Sequence, residues 1–238
     1  MDRDQGRGVD QLRPVHVSTD YIEYPEGSVL ISAGKTRVLC NVSVEERVPG
    51  WMERNQVPGG WITAEYALLP RSTQTRIARE TDGFSGRTQE IRRLIGRSLR
   101  AGFNLSQLGE RTCIVDCDVL QADGGTRTAS ITGGYLALAL ALRELADADR
   151  ISEEVFKPPV AAVSVGMIAG TPVLDLDYKE DSAADVDLNV VMNRQGEYIE
   201  IQGTAEGGPF SRRQLDLMLD LASQGIGELL KLGSEVLD

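Results

Sequence analysis

CDVLQADGGTRTA, residues 117–129, runs a strand into a Gly-Gly turn and straight on into a helix. At such a junction the first helical amides, here those of Gly125, Thr126 and Arg127, have no intrahelical acceptor and sit at the positive end of the helix dipole. With an arginine side chain beside them they form a cradle that can hold phosphate. Two glycines also let the backbone approach a ligand closely. The same turn serves elsewhere as plain chain reversal, so its meaning depends on what the flanking sequence brings to it.

On the N-terminal side, Cys113, Val115, Cys117 and Val119 alternate with Asp116 and Asp118, the period of a strand with one buried face. On the other side, TASITGGYLALALALRELA, from about 128 to 146, is apolar almost all round. That predicts a central buried helix in which Gly133 and Gly134 permit close packing. Upstream, TQEIRRLIGRSLRAGF predicts a second helix, with Ile91, Leu94, Ile95, Ser98 and Leu99 in one stripe and Arg93, Arg97 and Arg100 on roughly the opposite face. Arg87 falls at or just before its first turn and, by helical angle, on the stripe side, where an arginine needs an anionic partner.

The net charge of −11 at pH 7 argues against a protein coated in basic charge. Residues 71–100 nevertheless hold eight arginines against three carboxylates, a local +5, and the remainder therefore carries −16. An acidic body with one concentrated arginine region points to a focused polyanion site. Within that region RSTQTRIARETDGFSGR reads as a mobile loop or arm that offers Arg71, Arg76 and Arg79 to a nucleic-acid backbone, with Arg93 and Arg97 on the helix beyond it.

A second constellation lies in LDLDYKEDSAADVDLNV, where Asp175, Asp177, Glu180, Asp181, Asp185 and Asp187 fall within thirteen residues. Asp185 and Asp187 share one face of the strand DVDLNV, and Asp181 is placed where the preceding strand ends. Carboxylates converging at a sheet end repel one another unless a cation sits between them, and oxygen-only ligands favour Mg²⁺ or Mn²⁺. The bland reading is a solvated acidic loop. A phosphate cradle, an inward arginine and a divalent-ion site together describe phosphoryl transfer, in which a carboxylic acid protonates the leaving oxygen. His16 is the lone histidine, so Ser/His or Cys/His nucleophilic chemistry has little to work with.

The 238 residues suffice for one large domain or two subdomains. No apolar run approaches membrane-spanning length and the start, MDRDQGRGVDQLRP, is polar, which leads us to expect a cytoplasmic protein without a membrane partner. Cys40, Cys113 and Cys117 read as buried thiols. VLISAGKTRVLCNVSVEERV predicts two strands with a hairpin turn at residues 33–35. PGWMERNQVPGG reads as a surface loop, its Trp51, like Trp61 beyond it, having a core or interface role rather than stacking on bases, and WITAEYALLP as a strand. A boundary is expected near residues 148–159, dividing the chain into 1–150 and 151–238. Beyond it VAAVSVGMIAG, TPVLDLDYKED, DVDLNVVMN and EYIEIQGTA read as strands, and a final helix is expected from about 211 to 230, capped by Ser211 and Gln214. The pattern predicts an α+β fold: two subdomains, mixed β-sheets packed against the buried helices.

Several of these stretches carry a resemblance to a known family. CDVLQADGGTRTA, with FSGRTQEIRRLIGRSLRA before it, LDYKEDSAADVDLNVVM and GTAEGGPFSR after it, and R-x-x-x-x-x-R-P-V from Arg7 to Val15, resembles the bacterial ribonuclease PH family over essentially the whole chain. The resemblance implies a ribosomal-protein-S5-domain-2-like architecture and a phosphorolytic 3′→5′ exoribonuclease that trims tRNA precursors, with inorganic phosphate as co-substrate and nucleoside diphosphates released. It places phosphate binding on Arg87, Gly125, Thr126 and Arg127, and the catalytic and metal carboxylates on Asp181 and Asp187, without saying which is the general acid or whether Asp185 assists. It further implies a homohexameric ring, a trimer of dimers. Two other readings stay open, a catalytically silent ring subunit and a small-molecule phosphorylase. The intact arginines and aspartates count against the first, and the arginine region against the second.

Overall fold

The computed structural model describes Arg3 and residues 6–237. The first half is a five-stranded sheet of β1 (Val15–Thr19), β2 (Gly27–Ala33), β3 (Thr36–Glu45), β4 (Trp61–Leu68) and β5 (Thr112–Gln121), in the order β1-β2-β3-β5-β4. It is mixed because β4 runs parallel to β5 while the other pairs are antiparallel. Between β3 and β4 the chain forms a short helix, α1 (Gly50–Asn55), where a plain loop was expected. Trp51 on α1 meets Trp61 edge to face at 5.0 Å, and the Arg100 guanidinium covers the Trp61 ring. Both indoles thus have packing partners within the chain.

Two helices follow, α2 (Gly86–Ala101) and α3 (Thr126–Asp147), on either side of β5 in sequence. The stripe Ile91, Leu94, Ile95, Ser98 and Leu99 is buried, as its spacing requires. α3 is buried all round because it has protein on both sides: it packs on β2 and β3 of the first sheet and on β6 (Val160–Ile168) of the second. A Cβ at Gly133 would lie 2.7 Å from the Ile31 side chain and 3.0 Å from Cys40 Sγ, so this close approach of helix to sheet needs glycine.

The second half is an antiparallel four-stranded sheet, ordered β7-β6-β8-β9, with β7 (Thr171–Leu174), β8 (Val186–Asn193) and β9 (Tyr198–Ala205). β6 is covered on both faces. Val160 and Ala162 join the core around α3, while Ala161, Val163 and Val165 join a second core under the last helix, α5 (Arg212–Leu237). That alternation is the two-residue period of a strand with a helix on each side. α5 begins where its capping box predicts, with Ser211 and Gln214 exchanging hydrogen bonds, but runs seven residues beyond the expected end.

One expectation fails at β7. The segment after Leu174 leaves the sheet and forms a short helix, α4 (Tyr178–Ala183), instead of continuing as strand. Asp177 is its N-cap, accepting from the amides of Lys179 and Glu180, and Glu180 reaches back to the Asp177 amide. The D-Y-K-E spacing is a capping box and was available in the sequence. The period-two reading of TPVLDLD concealed it.

Candidate active site

The Gly-Gly turn is shaped from behind. Gly124 and Gly125 have φ of 75° and 63°, and a Cβ at Gly124 would lie 2.4 Å from the Leu176 carbonyl oxygen. Glycine at 124 therefore serves close packing of the turn on the second half of the molecule as much as approach to a ligand. The turn's carbonyls are tied down on that same side. Arg13 Nη1 donates to the Asp123 carbonyl at 2.5 Å, and Thr36 Oγ1 donates to that of Gly124 at 2.6 Å. With its acceptors engaged, the turn leaves the amides at the start of α3 as the groups free to meet an anion.

Those amides border a polar cleft of about 740 Å³ between the two halves. Gly125, Thr126, Arg127 and Arg87 line it together with Asp181 and Asp187, so all six residues assigned to phosphate and catalysis come to one place. Arg87 is exposed to the cleft rather than turned into the core as its helical angle suggested. It is the second residue of α2, and the N-terminal turn there opens onto the cleft instead of the sheet. A separate, mostly apolar cavity of about 220 Å³ between α3 and α5 holds none of these groups.

The two aspartates arrive from different elements, Asp181 from α4 and Asp187 from β8. Partial burial and then the neighbouring Asp187 charge push the Asp181 carboxyl up, against the pull of Arg127 and Arg87, even though its side chain is open to the cleft. Tyr66 on β4, which the sequence did not single out, is buried beneath the cradle with its hydroxyl 2.8 Å from Thr126 Oγ1. Burial pushes its phenol up and keeps it neutral, although the Thr126 hydrogen bond and the two arginines draw it down.

The other four carboxylates of the acidic stretch are held elsewhere. Asp175 accepts from Arg13 Nε and Nη2 at 2.9 and 2.7 Å, and Glu180 from Arg3 Nε at 2.7 Å. Asp177 caps α4, and Asp185 accepts from the Ala169 amide at 3.1 Å. Of the three carboxylates expected at the sheet end, Asp181 and Asp187 line the cleft and Asp185 does not. Among the described residues no cluster of three or more His, Cys, Asp or Glu side chains is arranged to hold a metal ion. Two carboxylates beside an anion cradle still suit magnesium, which keeps several waters and completes its shell with substrate phosphate.

The arginine region divides as well. Arg71, Arg76 and Arg79 are exposed on a segment, residues 69–85, that has no helix or strand yet is anchored by the Ala122 amide donating to the Ser72 carbonyl. Thr73, Gln74 and Thr75 of this segment line the cleft. Arg93 is exposed, whereas Arg97 is bound to Glu200 of β9 through two hydrogen bonds, one at 2.9 Å, and ties the halves together.

Fold and cleft together define an α+β protein of two packed halves with a polar cleft between them, lined by arginines, helix-terminal amides and two aspartates. Domain 1 of the 3′ exoribonuclease family matches residues 11–144, and domain 2 of that family matches residues 158–225. The chain belongs to this family. It is 55% identical to the ribonuclease PH of Syntrophomonas wolfei subsp. wolfei, over 100% of this chain and 99% of that protein. It is equally 55% identical to the ribonuclease PH of Moorella thermoacetica, over 100% of this chain and 95% of the relative. Among solved structures, an Archaeoglobus fulgidus exosome with RNA bound to the active site superposes with a TM-score of 0.81 at 23% identity, covering 97% of this chain and 92% of that one. Rice Rrp46 superposes with a TM-score of 0.77 at 18% identity, covering 99% and 100%. Both share the fold.

Proposed function

We propose that the chain is a phosphorolytic 3′→5′ exoribonuclease that trims the 3′ ends of tRNA precursors with inorganic phosphate and releases nucleoside diphosphates. The observation that carries this is the meeting, in one cleft, of Arg87, Arg127 and the α3 amides with Asp181 and Asp187. Family membership and the ribonuclease PH relatives support it.

In this reading the α3 amides and the two arginines hold the phosphate nucleophile and offset charge on the reacting phosphorus. A phosphate oxygen attacks the terminal phosphodiester, the bond to the 3′ oxygen of the preceding nucleotide breaks, and the proton that oxygen needs comes from a carboxyl group. We assign that proton to Asp181, whose carboxyl is pushed up. Asp187, with Asp181 in its ionised form, would hold a divalent cation, Mg²⁺ or Mn²⁺, which when bound would supply charge neutralisation to the reacting phosphate. Tyr66 holds the Thr126 hydroxyl in place.

The exposed arginines Arg71, Arg76, Arg79 and Arg93 fit a role in gripping the RNA body outside the cleft, where contacts to phosphates bind without reading sequence. Arg97, already paired with Glu200, fits a bracing role better than RNA contact. A homohexameric ring, a trimer of dimers, and a cytoplasmic location complete the proposal; among the described residues no helix is long and apolar enough to cross a membrane.

The test is incubation with magnesium and a tRNA carrying a 3′ extension, with and without inorganic phosphate, followed by identification of the released nucleotide. Diphosphates released only with phosphate are expected. Monophosphates released without phosphate would mean hydrolysis, and no release at all would make the chain a silent ring subunit.

A further inference from the structure

Arg127 does not stand alone in the cleft. Its Nη1 donates to Gln202 Oε1 at 2.9 Å, and Gln202 Nε2 donates to Glu90 Oε1 at 2.6 Å. Glu90 lies in the second turn of α2, Arg127 in the first turn of α3 and Gln202 on β9, so the three join both halves of the molecule at the edge of the cradle. They line one recess with Arg87 and Asp187.

The direction of the middle amide follows from its neighbours. Glu90 is an acceptor and Arg127 has only donors, so turning the Gln202 amide over would set its N–H groups against the guanidinium and its oxygen against the carboxylate. Glu90 therefore orients Gln202, and Gln202 presents an oxygen to Arg127. The direct contact between Arg127 and Glu90, at 3.6 Å, is longer than a hydrogen bond and is screened from the more exposed Glu90 side. A neutral acceptor also suits the site. It fixes one guanidinium nitrogen without cancelling the positive charge and leaves the other N–H donors for an oxyanion.

Resting on the phosphate-binding reading above, we propose that Gln202 and Glu90 are positioning residues for inorganic phosphate. Glu90 sets the Gln202 amide, and the amide holds the Arg127 guanidinium toward the cradle. Neither residue touches the reacting atoms.

The experiment measures phosphorolysis of a short RNA across phosphate concentrations, together with calorimetric titration of inorganic phosphate in the absence of RNA. Gln202→Leu is expected to raise KM for phosphate roughly tenfold, the scale of one hydrogen bond to a charged group, and to weaken calorimetric binding equally. Its kcat, RNA KM and Tm should stay close to those of the parent. Gln202→Glu should raise phosphate KM further, because a carboxylate there competes for Arg127 as an anion. Glu90→Leu should give a smaller rise, and Glu90→Gln should restore most of it, since its amide oxygen still accepts from Gln202. Phosphate affinity within twofold of the parent in Gln202→Leu overturns the proposal, as does a loss confined to kcat and Tm, which would mark the trio as a brace between the halves. Failure of the parent protein to bind phosphate, or phosphate-independent release by it, would instead sink the functional reading itself.

Discussion

Residues 175–187 carry six carboxylates, and the fold sends them to two regions with opposite surroundings. Behind the cradle, Asp175 and Glu180 are buried against Arg13, Arg3 and Arg7, three arginines of the N-terminal segment. In the cleft, Asp181 and Asp187 make no ion pair among the described residues, and burial and then the Asp187 charge push the Asp181 carboxyl up against the pull of Arg127 and Arg87. The contrast separates two uses of charge. A buried network of ion pairs holds two halves in register, and removing one partner strands the other. In the function proposed above, the open pair is the one left available to a cation and a phosphate.

The largest effects should separate the regions most cleanly. Asp181→Asn is expected to lower kcat by about 10²- to 10⁴-fold, the range for loss of a general acid, and to leave urea unfolding nearly unchanged. An equal loss of stability would erase the distinction between the two regions. Asp175→Ala should do the reverse and destabilise by about 3–5 kcal/mol in urea titrations, because Arg13 is left buried without its carboxylate. Activity per folded molecule should fall only as far as the Gly-Gly turn loosens.

A smaller effect distinguishes the regions by pH. Burial opposes the Glu180 carboxylate, but the Arg3 hydrogen bond, the Asp177 amide and the charges of Arg3 and Arg7 together outweigh it and hold the group below its ordinary value of 4.5. The unfolded chain then binds a proton at higher pH than the native one, so the contribution is fully present above that ordinary value and lost as pH falls through the folded one. Asp181, pushed up, has the opposite sign: its burden on the native state grows as pH rises through the usual carboxylate range and is relieved in acid. Glu180→Gln should accordingly flatten the acid limb of a stability–pH curve, and Asp181→Asn should steepen it.

The least local effect concerns the arm. Replacing Arg71, Arg76 and Arg79 with alanine should weaken tRNA binding and lower the slope of log K against log salt by about 2 if each arginine neutralises one phosphate. Phosphorolysis of a short oligonucleotide should be unaffected. Equal loss on both substrates would move the arm into the cleft chemistry.

Much of this was legible before any coordinates. The apolar girth of α3, the stripe of α2 and the alternation of β5 are periodic signals that survive folding, because burial acts on whole faces. Thr126, Arg127, Asp181 and Asp187 stood out as chemistry at a strand–turn–helix junction and in an acid cluster. Arg87 was singled out with the wrong surroundings, since helical angle gives a face but not what lies opposite it. Arg3 and Arg13 as carboxylate partners, Tyr66 under Thr126, and the Glu90–Gln202 pair had no local signal: each interaction joins residues 60 or more apart in the chain.

The sequence alone determined the α+β character with its three long helices, the strand–turn–helix junction at residues 125–127 and which carboxylates were available. Local periodicity and turn chemistry depend on neighbours in the chain, and these features need nothing more. Which carboxylates became structure and which became site was decided only in three dimensions. The N-terminal arginines and the β9 glutamine meet their partners only through the packing of the two sheets around α3, and the turn at Gly124 is tight because it packs on Leu176 of the other half. Charge in a protein takes its role from its nearest counter-charge, and that neighbour is set by packing.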